Sequence, residues 1–420
     1  MLSIKYIREN PEVVQAAISN KGEKGDVHEI LRLDKKIRQL IHDVEAKKAE
    51  KNRTNSQIVE ANRNSQDADQ LIKKMKKLSA EIKMGDSDLT QSRHQLNELL
   101  IWVPNIPHES VPVGVDESTN VEVRMRGEAP TFDFEIKTHL DLGTSLHLFD
   151  FERAAKISGS GFPLFTGKGA KLERGLINFM LDYHVQRGYK EVYTPFMTLP
   201  AANEATGQLP KLKEDMYFVE RDNLYLIPTA EVPVTNIHRG EILSEDELPI
   251  HYVAFSPCFR REAGSYGKET RGLLRVHQFN KVELVKFVKP ETSYQELERL
   301  TSDAEAILQV LGLHYRVVAL STGELSFAAA KCYDLEVWAP GENRWLEVSS
   351  CSNYESFQAR RANIRYRRKN GKLEFVHTLN GSALATPRLT IALLETYQTD
   401  EGSVMIPEIL QPYVGETVLK

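Results

Sequence analysis

Two runs of this sequence carry side chains that can hold a nucleoside triphosphate. Phe259-Arg260-Arg261-Glu262 leads into a loop rich in glycine and charge, through Gly272. Arg275-Val276-His277-Gln278-Phe279-Asn280-Lys281-Val282-Glu283 follows. The segment reads as strand, loop, strand. Side chains alternate along a strand, so Arg275, Phe279 and Glu283 share one face of the second strand, and Arg260 and Glu262 share a face of the first. One surface then offers guanidinium groups, an aromatic plate and carboxylates. Guanidinium grips phosphate through paired N–H groups, and an aromatic face stacks on a base for about 1–3 kcal/mol. ATP is the natural ligand of such a surface. From spacing alone, a charged hairpin with ordinary ion pairs is the competing account. His277 sits opposite Phe279 in the alternation, and its expected role is structural rather than that of a general base.

The elements that must position these residues fall into two regions. Over about residues 30–103 glycine and proline almost vanish, and two heptad series appear. Ile30, Ile37, Val44 and Ile58, with Leu33, Leu40 and Ala61, form the first, interrupted by Lys47, Lys51 and Thr54. Ala68, Met75, Ile82, Leu89, Leu96 and Val103, with Leu71, Leu78 and Leu99, form the second. Each apolar stripe needs a partner, so an antiparallel helical hairpin is expected, its second helix capped by Asp67. Helices of about 35 residues make an arm on the order of 50 Å long. The poor helix formers Met84-Gly85-Asp86-Ser87-Asp88 mark an expected kink. Lys73-Lys74-Met75-Lys76-Lys77 is a solvated face or a phosphate-contacting one. Two prolines in Trp102-Val103-Pro104-Asn105-Ile106-Pro107 end the arm and set the expected boundary between residues 1–103 and 104–420.

Beyond that boundary, helical segments at 170–187 and 293–311 alternate with strand-like runs at 253–255, 276–285, 333–338 and 345–349. Tight turns such as Pro340-Gly341-Glu342-Asn343 point to an antiparallel sheet with flanking helices. GxGxxG and GxxxxGK[ST] are both absent from the sequence, which excludes those two phosphate-binding loops.

The bulk properties are those of a soluble globular protein of two or three units, with 41% hydrophobic and 27% charged residues in 420. The net charge of −5 excludes a uniformly basic surface but not a local basic patch. Cys258, Cys332 and Cys351 have no paired spacing, so neither zinc nor a disulfide framework is expected, and all three read as buried small hydrophobes. The charged start, Met1-Leu2-Ser3-Ile4-Lys5-Tyr6-Ile7-Arg8-Glu9, and the lack of long apolar runs give a cytoplasmic expectation with no membrane association.

The strand-loop-strand segment resembles motif 2 of the class II aminoacyl-tRNA synthetases. Thr270-Arg271-Gly272-Leu273-Leu274-Arg275-Val276-His277-Gln278-Phe279 is similar to the seryl-tRNA synthetase family in particular. Gly188-Tyr189-Lys190-Glu191-Val192-Tyr193-Thr194-Pro195 is similar to motif 1, a dimer-interface element, and Asn380-Gly381-Ser382-Ala383-Leu384-Ala385-Thr386-Pro387-Arg388 to motif 3. Thr229-Ala230-Glu231 matches the family's serine-binding loop. The resemblance runs along the whole chain, through the arm and the closing Ile406-Pro407-Glu408-Ile409-Leu410-Gln411-Pro412-Tyr413. Related synthetases for proline, threonine or histidine carry a further C-terminal domain, for which the roughly 30 residues after Arg388 leave no room.

The resemblance implies an α+β fold: an antiparallel β-sheet catalytic domain flanked by helices, with an N-terminal antiparallel two-helix coiled-coil arm. It implies an AMP-forming serine–tRNA ligase that makes seryl-adenylate from L-serine and ATP, then charges tRNA(Ser), with tRNA(Sec) as a further candidate. Arg260 and Arg388 would be catalytic, Arg260 on the α-phosphate and Arg388 sandwiching adenine against Phe279. Glu262 would orient the adenine amino group, and Arg261, Val276, Val348 and Ser349 would complete the ATP site. Glu347 and Ser350 would contact Mg²⁺ and the phosphates. The serine contacts would come from Thr229, Ala230, Glu231, Arg260, Glu283 and Ser382. The tRNA would be bound by the arm across a homodimer.

Two physical expectations accompany these assignments. Thr386 as N-cap and Pro387 as first helical residue leave Arg388 in the first turn of a helix reaching about Tyr397. Glu347 and Ser350 have opposite parity, so a bulge or strand end must lie between them. Gly323-Glu324-Leu325-Ser326 and Arg261 depart from the family pattern, and neither departure is expected to disturb an assigned contact.

Overall fold

The computed structural model describes residues 1–263 and 271–420, so Thr270 and the preceding loop residues from 264 lie outside the described residues. The chain divides into two compact units, Met1–Pro104 and Asn105–Lys420.

In the first unit two short helices, α1 (Ile4–Glu9) and α2 (Pro11–Asn20), precede the long pair α3 (Val27–Arg63) and α4 (Asp69–Leu100). The Asp26 carboxylate accepts the Glu29 N–H and caps α3, and the heptad positions Ile30, Leu33, Ile37, Val44, Ile58 and Ala61 are buried against α4. Salt bridges Lys47–Glu81 (3.1 Å), Lys48–Asp86 (3.0 Å) and Lys74–Glu50 (2.7 Å) join the two helices. Each exposed pair contributes little stability, but together they favour one register.

Two local expectations change. α4 runs unbroken through the expected kink, and a Cβ on Gly85 would stand 2.5 Å from Val44 Cγ2. Gly85 therefore fills a heptad position, in step with Leu71, Leu78, Ser92 and Leu99, where the helices approach too closely for a side chain. Asp67 accepts the Asp69 N–H, but the N-cap residue is Ala68. Lys73, Lys74, Lys76 and Lys77 are all exposed.

The second unit is built on an eight-stranded sheet. Its strands in chain order are β1 (Val121–Arg126), β2 (Lys190–Glu191), β3 (Ile250–Phe259), β4 (Gln278–Val288), β5 (Tyr315–Ala319), β6 (Lys331–Ala339), β7 (Arg344–Asn353) and β8 (His377–Ala385). Their spatial order is β1-β5-β6-β7-β8-β4-β3-β2, antiparallel throughout except where β2 joins β3. Helices α5 (Gly167–Val185), α6 (Ser293–Val310) and α7 (Thr386–Thr396) pack on it: α5 on β3 and β4, α6 on β7 and β8, α7 on β4, β6 and β7. Sandwiched in this way, β4 is buried continuously from Lys281 to Val288 and loses the clean alternation of a half-exposed strand. All three cysteines are buried and unpaired.

Strand ends correct the reading of the motif 2 segment. β3 stops at Phe259 and β4 starts at Gln278, so Arg260, Glu262 and Arg275 stand on the loop ends rather than on strands. One further ladder bond, from Arg260 N–H to the His277 carbonyl (2.9 Å), holds the two ends together. Glu262 takes a positive φ of 52°, which turns its carboxylate to the Arg275 guanidinium at 2.5 Å. The cap of α7 also moves by one residue: Ala385 is the N-cap and Thr386 the first helical residue. The Thr386 hydroxyl is engaged by Glu173 and so does not turn back on its own helix. Among the described residues, no helix is long and apolar enough to cross a membrane.

Candidate active site

A cleft of about 690 Å³ opens where β4, β6, β7, β8 and the start of α7 meet the loops before β4 and after β3. Arg260, Glu262, Val276, Phe279, Glu283, Glu347, Val348, Ser349, Ser350, Ser382, Arg388, Thr229 and Glu231 all line it. Two of the expected residues do not. Ala230 is buried behind Thr229 and Glu231, and the Arg261 guanidinium turns away to donate to the Glu214 carbonyl at 3.2 Å. Arg261 follows Arg260 in an extended chain end, and neighbouring side chains there point to opposite sides.

Two bulges shape this surface. On β7 the register slips between Glu347 and Ser349, leaving Val348 as the extra residue. That slip supplies the bulge that the opposite parity of Glu347 and Ser350 requires, and both side chains reach the cleft. On β8 Ser382 lies opposite Glu283 and Ala385 opposite Lys281, again with one residue too many, and Leu384 takes a φ of 94°. The turn this strained residue makes swings α7 inward. Arg388 then donates to the Glu347 carbonyl (2.8 Å), the Glu347 carboxylate (3.3 Å) and the Leu274 carbonyl (3.3 Å).

The Arg260 guanidinium lies 5.1 Å from the centre of the Phe279 ring, and its Nε is 3.4 Å from the Pro228 carbonyl. His277 donates from Nδ1 to the Arg260 carbonyl (2.9 Å), and its N–H bonds the Gly161 carbonyl. It braces the strand ends, as its expected structural role requires. Cation, ring and carboxylates thus form one wall of the cleft.

A buried polar cluster forms another wall. Glu283 accepts from Asn380 (2.6 Å), Ser382 (3.3 Å) and the Lys281 ammonium (2.6 Å), so its charge is matched within the sheet. Tyr354 donates to Asn380 (2.6 Å), and Gln358 donates to Glu231 (2.6 Å) while accepting from Thr378. The Thr229 hydroxyl accepts the Glu231 N–H at 3.2 Å. Burial, and then the negative charge of Glu283, push the Glu231 carboxyl up to about 7. Asp334, paired across the ladder with Ser350, is held well above the usual carboxylate range by burial and by Glu347.

Sequence reasoning missed several lining residues. Lys281 lies between Phe279 and Glu283 and Asn380 lies two before Ser382, so period-two alternation was a sufficient signal for both. Asp334 and Tyr354 come from elements whose adjacency only the fold creates. Glu324 and Ser326 also line the cleft, so the departure at 323–326 lies in the site itself. Outside the cleft, His139, Glu342 and Glu395 cluster closely enough to resemble a metal site. Glu395, however, accepts backbone N–H groups from His139, Gly341 and Glu342, and His139 Nε2 accepts the Leu273 N–H. The cluster is a strut between α7 and the chain leading into β4.

Comparison with known proteins gives a consistent result. Residues 1–107 match the seryl-tRNA synthetase N-terminal domain and residues 217–397 the tRNA synthetase class II core domain (G, H, P, S and T). The chain is 54% identical to the serine–tRNA ligase of Thermodesulfovibrio yellowstonii, covering 100% of both chains. It is also 54% identical to that of Carboxydothermus hydrogenoformans, covering 99% of this chain and 98% of the relative. Among solved structures it is similar to seryl-tRNA synthetase from Pyrococcus horikoshii complexed with ATP, with a TM-score of 0.95 at 38% identity over 100% and 99% of the two chains.

Proposed function

The chain belongs to the seryl-tRNA synthetase family, and from that premise we propose how its residues divide the work of a serine–tRNA ligase. The reaction has two steps: the serine carboxylate attacks the α-phosphorus of ATP to give seryl-adenylate and pyrophosphate, and a terminal ribose hydroxyl of the tRNA then takes the seryl group. Neither step needs a protein nucleophile. Positioning and charge stabilisation carry the rate.

The observation that carries this reading is the meeting of the Arg260–Phe279 wall and the Glu231–Glu283–Ser382 cluster in one cleft. In this reading adenine stacks on Phe279 beneath Arg388, Glu262 orients its amino group, and Arg260 holds the α-phosphate. Thr229, Glu231, Glu283 and Ser382 take the serine ammonium and hydroxyl groups. A buried site built to hydrogen-bond a hydroxyl rejects the analogue lacking it by roughly 10⁴–10⁵-fold, which would exclude alanine. Serine-dependent pyrophosphate exchange tests the assignment. Exchange with serine but not with alanine or threonine is the expected result, and exchange with none of the twenty amino acids would overturn it.

The donor set fits Mg²⁺: Glu347 and Ser350, with Asp334 across the ladder, bring carboxylates and a hydroxyl to one stretch of the cleft. These residues would hold the ion, which would supply positive charge to the triphosphate.

We assign tRNA binding to the unit Met1–Pro104, through the exposed lysines at 73, 74, 76 and 77, and catalysis to Asn105–Lys420. A homodimer is supported by apolar side chains left uncovered on and just after the motif 1 segment, Tyr193, Met197 and Leu199, each at least half exposed. Cytoplasm is the compartment where these substrates meet.

The pH dependence of serine use follows from Glu231. An ionised Glu231 attracts the serine ammonium, and its carboxyl titrates at about 7. Serine kcat/KM should therefore rise with pH through about 7, and Glu231→Gln should flatten the profile as well as lower it. Stability has the opposite slope. The unfolded carboxyl releases its proton from about 4.5 upward while the folded one keeps it to about 7, so folding stability falls across that window. Glu231→Gln should melt higher than the parent at pH 8 and no higher at pH 4.

A further inference from the structure

We propose that Glu173, which does not line the cleft, is the positioning residue that sets the adenine clamp. This rests on the reading of Phe279 and Arg388 as that clamp. Glu173 lies on α5 and is only 7% exposed. Its Oε1 accepts hydrogen bonds from Asn280 Nδ2 (2.8 Å) and from the Thr386 hydroxyl, which also reaches the Asn280 carbonyl at 3.1 Å. Asn280 directly follows Phe279 on β4 and points to the opposite face, so a hold on Asn280 fixes the strand from behind the ring. Thr386 is the first residue of α7, two before Arg388. The β8 ladder skips a residue just before that helix, between Ser382 and Ala385, so backbone pairing alone leaves its entry poorly determined. One carboxyl therefore ties together the elements that carry both plates of the clamp.

Glu173 Oε2 is buried without a hydrogen-bond partner, and burial raises the carboxyl above its ordinary range. A group kept at that cost purely for packing would be better replaced by an apolar side chain. The acceptor at Oε1 is what an apolar side chain lacks.

The test compares Glu173→Leu, Glu173→Gln and Thr386→Val with Phe279→Ala in serine-dependent pyrophosphate exchange. Glu173→Leu should raise the ATP KM on the order of tenfold, because small misplacements far from the chemistry are costly. The serine KM should stay within about twofold. Glu173→Gln keeps the acceptor and should restore near-normal ATP use, and Thr386→Val should raise the ATP KM alone, without adding fully to Glu173→Leu. Should Glu173→Leu fail to fold, Thr386→Val carries the decision. Equal rises in both KM values, a glutamine variant as impaired as the leucine one, or an unchanged ATP KM would overturn the proposal. If Phe279→Ala also leaves the ATP KM unchanged, the clamp reading fails with it; if Phe279→Ala raises it, only the role of Glu173 is lost.

Discussion

Arg260→Ala is expected to lower serine-dependent pyrophosphate exchange by on the order of 10²–10³-fold while the protein stays folded. Arg260 stands one residue past the end of β3, and its side chain makes a 3.4 Å contact to the Pro228 carbonyl and a 5.1 Å approach to the Phe279 ring. Truncation therefore removes little packing, and the backbone bonds to His277 that hold the strand ends remain. Under the proposed assignment, what disappears is a fixed positive charge where the α-phosphate becomes most negative, an interaction that would strengthen as the reaction proceeds and so act on kcat. Exchange kinetics and a thermal melt on the same preparation check both halves. Near-normal exchange from a folded variant would remove Arg260 from its role. Arg260→Lys keeps the charge but not the two-pronged donor, and intermediate activity is expected from it.

The second large effect concerns the arm. Val44 of α3 and Gly85 of α4 touch across the hairpin, so residues 45–84 can be excised and the helices rejoined by a short glycine-serine turn at that point. The buried side chains on the near side of the cut, including Ile30, Leu33 and Ile37 of α3 and Leu96 and Leu100 of α4, are retained, and the sheet unit keeps its own core. Seryl-adenylate formation should then continue near the parental rate, whereas tRNA charging should lose on the order of 100-fold or more in kcat/KM. The excised segment contains the exposed lysines at 73, 74, 76 and 77, each able to displace a counterion from a phosphate. Full-length tRNA binding should weaken steeply with salt, and the shortened protein should show a much shallower slope. Unchanged charging of serine tRNA by the shortened protein would reduce the hairpin to a scaffold.

These two variants probe regions that were legible in the sequence to different degrees. The arm was read from period alone, because two helices that bury only each other must repeat the same contact every seven residues. Besides the cap, which falls on Ala68 rather than Asp67, its misreading was the kink at Gly85, which came from applying helix propensity to a position where close packing decides the residue. In the sheet unit, strands were recognised but drawn short: β7 was expected at 345–349 and runs over Arg344–Asn353. Polar residues such as Ser350 and Asn353 read as strand ends in a sequence, yet a neighbouring strand pairs with them.

By itself the sequence determined the α+β class, the hairpin, the boundary near Pro104 and most of the side chains that converge on the cleft. The first three, together with Arg260, Glu262, Arg275, Phe279 and Glu283, follow from local rules: periodicity, helix breakers, and residue types that suit phosphate and adenine. Thr229, Glu231, Glu347, Ser350, Ser382 and Arg388 came from the resemblance to a family's motifs. Tertiary structure alone decided that Asp334 and Tyr354 join the site and that Glu324 and Ser326 face it. It also decided where the two bulges fall, and with them the aim of Glu347, Ser350 and Arg388. The physical reason is that a bulge or a loop-end rotamer differs from its alternatives by only a few kcal/mol of local strain. Contacts between elements distant in sequence, such as the bonds that Asn280 and Thr386 make to Glu173, must choose among them, and such contacts exist only once the sheet has closed around them.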